Sequence, residues 1–151
     1  MHDYITLNID GEFHLSSSPG SSGGVIRNHD GTWLAGFNRH LGFTSLLHSE
    51  LWGIFDGLCL AWNLDFKKVH TYHLITSAFA LSSSIALVRM IAGLLSRPWL
   101  LNFNLIKREA NSVADHLAKL ETDLDDTVNT LHHIPPSAHS FLHRDIHGPH
   151  I

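Results

Sequence analysis

The sequence predicts an α/β domain built on a five-stranded mixed sheet with helices packed on its faces. Three observations carry that expectation. Residues 4–39 contain three strand patterns separated by turn signals, which short connections arrange as an antiparallel run. Residues 46–120 then alternate helical and extended patterns, the order expected of parallel crossovers. The chain has 151 residues, 44% of them hydrophobic, which suits one domain with a sizeable core.

Each element has its own signal. Tyr4 to Asp10 alternates, with Ile5, Leu7 and Ile9 on one side and Thr6, Asn8 and Asp10 on the other, the period of a half-buried strand. Ser16 to Gly24, SSSPGSSGG, is a turn-rich connection. Gly23 to Asn28 is the second strand. His29-Asp30-Gly31 carries an Asp-Gly hairpin signal, and Thr32 to Arg39 returns as the third strand, with Trp33 and Phe37 on one face.

The segment Leu46 to Trp62, LLHSELWGIFDGLCLAW, reads as an amphipathic helix. Leu47, Leu51, Ile54, Leu58 and Ala61 recur at steps of three and four and form one apolar stripe. Ser49, Thr44 or Ser45 can cap it. Glu50 falls on or beside that stripe, where a carboxylate needs a positive partner to stay charged; a helix-start glutamate favoured by the dipole is the ordinary alternative. Phe66 to Ile75 is the fourth strand. Thr76 or Ser77 can cap a helix from about Ala78; Ile85 to Leu95 either continues it or, with a break at Ser82 to Ser84, starts another, and Pro98 ends the region. Leu100 to Lys107 is the fifth strand. Ala110 to Leu120 is the last helix, with Val113, Leu117 and Leu120 inward. The domain is therefore expected to span residues 1–122. Residues 123–151, acidic and then rich in histidine and proline, are expected to form a loose surface tail.

Bulk properties exclude several classes. The net charge is -4, so there is no general basic footprint for nucleic acid; binding of that kind needs a local patch or bridging metal ions. Cys59 is the only cysteine, so no internal disulfide exists. Leu87 to Leu101, the longest apolar run, is interrupted by Arg89, Arg97 and Pro98 and is too broken to span a bilayer. The start, MHDYITLNIDG, has no secretory pattern. These features lead us to expect an intracellular monomer, nuclear or cytoplasmic, without membrane attachment.

Three acids sit on separate elements: Asp10 at the end of the first strand, Glu50 in the first helix and Asp115 in the last. They can meet only where the sheet joins the helices. Such a cluster repels itself unless cations bind it, and oxygen ligands favour magnesium or manganese. Most isolated acids sit on solvated faces, so spacing alone identifies nothing here.

Four segments together resemble the ribonuclease H type 1 domain in its plant retroelement-derived, reverse-transcriptase-associated form. They are LNIDG at 7–11, GGVIRNHDGTWLAGF at 23–37, SELWGIFDGLCLAW at 49–62 and REANSVADHLAKL at 108–120, and the resemblance covers about residues 4–120. It implies a metal-dependent endonuclease that hydrolyses the RNA strand of RNA–DNA hybrids. By position Asp10, Glu50 and Asp115 match three of the family's four acids, as catalytic groups and as ligands for two Mg2+ or Mn2+ ions. Gly11, Ser77, Arg108 and Asn111 match positions near the nucleic acid.

The fourth acid is absent. The family places aspartate after the fourth strand, usually followed by serine; here Thr76 precedes Ser77. Two divalent ions 4 Å apart repel by roughly 4 kcal/mol even in water, and a neutral hydroxyl does little to offset that. The resemblance therefore implies a ribonuclease H-like domain with impaired catalysis and at most one well-bound ion. The alternative is a non-catalytic nucleic-acid or protein interaction module that keeps the fold. The family's loop after the first strand is altered too, to SSSPGSS at 16–22.

Other features have plainer readings. His139, His143 and His147 lie at four-residue steps, but nearby prolines argue against a long helix and only Asp145 is available as a further zinc ligand. Lys107 and Arg108 either touch phosphates or are a solvated strand-end pair. Trp33, Trp52, Trp62 and Trp99 are expected in the core or at its edge.

Overall fold

The computed structural model describes residues 4–12, 20–42, 45–73, 85–106, 111–122 and 127–147. Strands β1 (Ile5–Glu12), β2 (Ser21–Arg27) and β3 (Trp33–His40) form the expected antiparallel run. The β2–β3 hairpin turns at Gly31, whose φ of 82° lies in the region that favours glycine. The Asn28 side chain accepts from the backbone N–H groups of Asp30 and Thr32, which closes the turn. β4 (Lys68–His73) pairs parallel to β1, and β5 (Leu100–Leu105) pairs parallel to β4.

The sheet gains a strand that the sequence reading missed. β6 (Asn129–Leu131) pairs antiparallel with β3, so the order is β5-β4-β1-β2-β3-β6 and the sheet has six strands rather than five. Three residues are too few to show a period; pairing at the β3 edge makes the strand. The expected loose tail is likewise corrected. A 3-10 turn at Pro136–Ala138 leads into helix α4, His139–His147. Phe141 and Leu142 of α4 pack on a buried cluster of Val25, Val113 and Leu117.

The other helices are α1 (Leu46–Asn63), α2 (Ile85–Leu95) and α3 (Ser112–Lys119). α1 covers β1, β2 and β3 on one face, with α2 against α1; α3 covers the same strands on the opposite face, with α4 against it. The larger core lies under α1: Leu7, Ile9, Ile26, Phe37, Leu58, Ala61 and Val69 are all shut off from solvent. Leu51, Leu58 and Ala61 of the predicted stripe are buried and Ile54 is half-buried. Of the three candidate caps, Ser45 is the one used. Its hydroxyl accepts from His48 N–H at 3.0 Å, while Ser49 lies inside the helix and donates to the Ser45 carbonyl.

Trp33 and Phe37 do not share a face as their spacing suggested. Phe37 is in the α1-side core and Trp33 packs on the α3-side cluster. The cause is a register shift: Ile26 faces Ala35 but Arg27 faces Trp33, leaving Leu34 as an extra residue. One extra residue reverses the alternation. All four tryptophans are half-buried, as expected of the core edge. No described helix is long and apolar enough to cross a membrane.

Candidate metal and nucleic-acid site

β1 brings the first acid to the meeting point of sheet and helices. Its polar face carries Asn8 and Asp10, both 1% exposed. Burial of a polar residue in a central strand requires that another element cover it, and here α3 does so.

Gly11 sets the approach of the second acid. A methyl group at Gly11 would lie 2.6 Å from the Glu50 backbone nitrogen and 2.9 Å from a Glu50 carboxylate oxygen. The absence of a side chain therefore lets the first turns of α1 press against the end of β1. Glu50 is 1% exposed; the sequence placed it beside the apolar stripe, and it lies inside. Two carboxylate residues adjoin one glycine at the strand end.

The third acid arrives from the opposite face. Gly23 is the register partner of Asp10, and a methyl there would lie 2.4 Å from the backbone nitrogen of Ala118. α3 thus crosses the sheet in direct contact with the strand beside Asp10. Asp115 stands one turn earlier on that helix. It is only partly buried, with 29% side-chain exposure, and it takes an ion pair from Lys119 at 3.0 Å. Among the described residues no three Asp, Glu, His or Cys side chains converge as a ready metal-binding group. Asp10 and Glu50 both adjoin Gly11 at the end of β1, and Asp115 lies on the helix that crosses the neighbouring strand, with its carboxylate paired to Lys119.

Asn111 has an interior task. It is 1% exposed. Its amide donates to the Ile9 carbonyl at 2.9 Å and its oxygen accepts from Asn8 at 3.1 Å. These bonds tie the start of α3 to β1 beside Asp10. The Asn8 oxygen in turn accepts from Arg27 at 2.6 Å. Burial draws the Arg27 guanidinium below its ordinary basicity, and the negative charge of Asp145 opposes that shift. Sequence reasoning singled out neither Asn8 nor Arg27 for this network. The available hint was a polar residue, Asn8, alternating with apolar ones in a central strand. Gly11 is buried beneath α1; Thr76, Ser77 and Arg108 lie outside the described residues.

The histidine series is now on a helix. His139 and His143 are exposed on α4, and Asp145, the one acid near them in sequence, is buried under α3 instead. A four-ligand zinc site does not form among the described residues.

The chain matches the reverse transcriptase-like family over residues 8–121. The chain belongs to the reverse transcriptase-like family. A relative from Arabidopsis thaliana, named as a ribonuclease H protein, is 31% identical over 156 aligned residues; the match takes in 96% of this chain and 25% of the relative. The chain therefore spans about a quarter of that relative's length. Solved ribonuclease H domains share the fold. The N-terminal RNase H domain of a Mycobacterium tuberculosis protein superposes with a TM-score of 0.65 at 21% identity, covering 76% of this chain and 90% of that one. RNase H1 of Halobacterium salinarum gives 0.62 at 17%, covering 76% and 94%. LC11-RNase H1, solved in complex with RNA/DNA hybrid, gives 0.60 at 23%, covering 75% and 92%. The sheet and helices of this reverse transcriptase-like chain are thus a ribonuclease H-like α/β fold.

Proposed function

We propose that this chain is a nucleic-acid-binding ribonuclease H-type domain of plant retroelement origin whose hydrolysis of RNA in RNA–DNA hybrids is impaired. The observation that carries the reading is that Asp10 and Glu50 are both buried and both adjoin Gly11 at the end of β1. Two carboxylates fit one hard divalent cation, Mg2+ or Mn2+, with Asp115 as a third ligand once it leaves Lys119. When bound, such an ion activates water and stabilises the leaving oxygen. The missing side chain of Gly11 leaves room for the Glu50 carboxylate at the strand end that carries Asp10. Asn111 fixes the helix that presents Asp115 and Gly11 is closed in by α1, so Ser77 and Arg108 remain as the proposed nucleic-acid contacts. The family match, the Arabidopsis relative and the hybrid-bound LC11 neighbour support this choice of origin and partner.

Thr76 is the reason for impairment, since the strand end lacks the carboxylate that would balance a second ion. The Asp115–Lys119 pair favours a second reading, a binding module that retains the fold without catalysis. An end-labelled RNA–DNA hybrid, incubated with the chain in Mg2+ or Mn2+, separates the two. The native chain should cleave poorly and Thr76→Asp well above it, with tighter Mn2+ binding and a lower melting temperature in chelator. A native chain as active as the variant refutes the impairment. Metal affinity, cleavage and melting all unchanged by Thr76→Asp would place position 76 away from the acids. Improved metal binding without cleavage would favour the binding module.

A further inference from the structure

Asp145 belongs to the segment that the sequence presents as a tail, yet it is 3% exposed. One carboxylate oxygen accepts from the Ser112 backbone N–H at 3.0 Å and from the Ser112 hydroxyl; the other accepts from the Val113 N–H at 2.9 Å. These are the opening donors of α3, which an N-cap side chain ordinarily satisfies. The residue at that position, Asn111, makes no side-chain cap bond because its amide is committed to β1. α4 therefore supplies the cap of α3 from 33 residues away in sequence. A carboxylate suits the place, since a helix N-terminus attracts negative charge.

The contacts close into a circuit. Asp145 holds Ser112 and Val113; the adjacent Asn111 holds Asn8; Asn8 accepts from Arg27; and the charge of Asp145 acts on Arg27. Further contacts tie α3 to this segment: the Ser112 hydroxyl shares its hydrogen with the Phe141 carbonyl at 3.3 Å, His116 stacks on Phe141 with ring centroids 4.6 Å apart, and His116 bonds Ser137 in the 3-10 turn before α4. Everything in the circuit bears on the first turn of α3, which carries Asp115.

We infer that Asp145 is a positioning residue: through the opening turn of α3 it sets where Asp115 stands relative to Asp10 and Glu50, so the C-terminal helix is part of the site. The role of Asp115 as a metal ligand rests on the function proposed above; the capping does not.

Asp145→Asn on the full chain tests both parts. Asparagine keeps the shape, removes the charge and turns one acceptor into a donor. Residue-resolved amide exchange is expected to speed up at least tenfold across 112–118 while β1 and β2 stay protected. Unchanged protection of α3 would overturn the inference. Mn2+ titration followed by NMR line broadening is the second measurement. In the native chain Asp10, Glu50 and Asp115 should broaden together. In Asp145→Asn the broadening at Asp115 should fall several-fold more than at Asp10 and Glu50. Equal loss at all three acids means a merely structural role and overturns the positioning. If Mn2+ broadens none of them in the native chain, the metal reading fails, and exchange at 112–118 still decides whether Asp145 sets α3. Should Asp145→Asn not fold, Ser112→Ala removes one donor alone and should show the same selective loosening at smaller size.

Discussion

Replacing Gly23 by alanine is the sharpest test of how sheet and helix meet. The new methyl carbon would lie 2.4 Å from the Ala118 nitrogen, 2.8 Å from its Cα and 2.9 Å from the Leu117 carbonyl carbon. All three are backbone atoms of α3, so no rotamer change relieves the clash. Ordinary contact begins at 3.4 Å, so α3 must move outward by about 1 Å. Overpacking of this kind costs about 1–3 kcal/mol. The upper end is expected, because α3 is held from three sides: Val113 and Leu117 are buried over Val25, Asn111 is bonded to β1, and Asp145 caps the first turn. For a chain of this size about 3 kcal/mol lowers the melting temperature by roughly 6–12 °C. Equilibrium unfolding in urea should show a lower midpoint with an unchanged slope, which marks lost stability rather than a changed denatured state. Stability within about 0.5 kcal/mol of the native chain, the range of an ordinary surface substitution, would refute the packing of α3 on β2.

Three further outcomes are expected. Gly93 lies exposed in α2 with nothing within 4 Å of an added methyl, so Gly93→Ala should stabilise by about 0.5–1 kcal/mol through helix propensity; a melt that falls would show a neighbour at that face. Asp10→Asn should raise the melting temperature slightly in chelator by relieving repulsion from Glu50, on the order of 1 kcal/mol at most, and a clear drop counts against the shared site. His116 titrates below its ordinary 6.5, first because burial disfavours its charged form and then because Lys119 repels it, against the pull of Asp115. A depressed histidine contributes stability that is present above 6.5 and lost as pH falls through the lower folded value. His116→Gln should therefore flatten the loss of stability below pH 6.5, and an NMR midpoint at or above 6.5 would contradict this.

The sequence by itself determined the elements whose period is strong. Alternation in Ile5, Leu7 and Ile9 and the stripe through Leu51, Leu58 and Ala61 made β1 and α1 legible, because their buried faces repeat at the strand and helix periods. Glu50 was legible for the same reason: a carboxylate on an apolar stripe breaks the pattern. Thr76 was legible through resemblance, as a difference at one aligned position. Tertiary structure alone decided the rest. β6 is three residues long and exists because the β3 edge offers hydrogen bonds. The extra residue at Leu34 reversed Trp33, a change that alternation cannot anticipate. Asp145 looked like a lone acid in a histidine-rich tail. Its role depends on two backbone N–H groups 32 and 33 residues earlier, left open because Asn111 bonds the strand. Capping at that distance leaves no local pattern, since the donors and the carboxylate meet only after the sheet, α3 and α4 have packed.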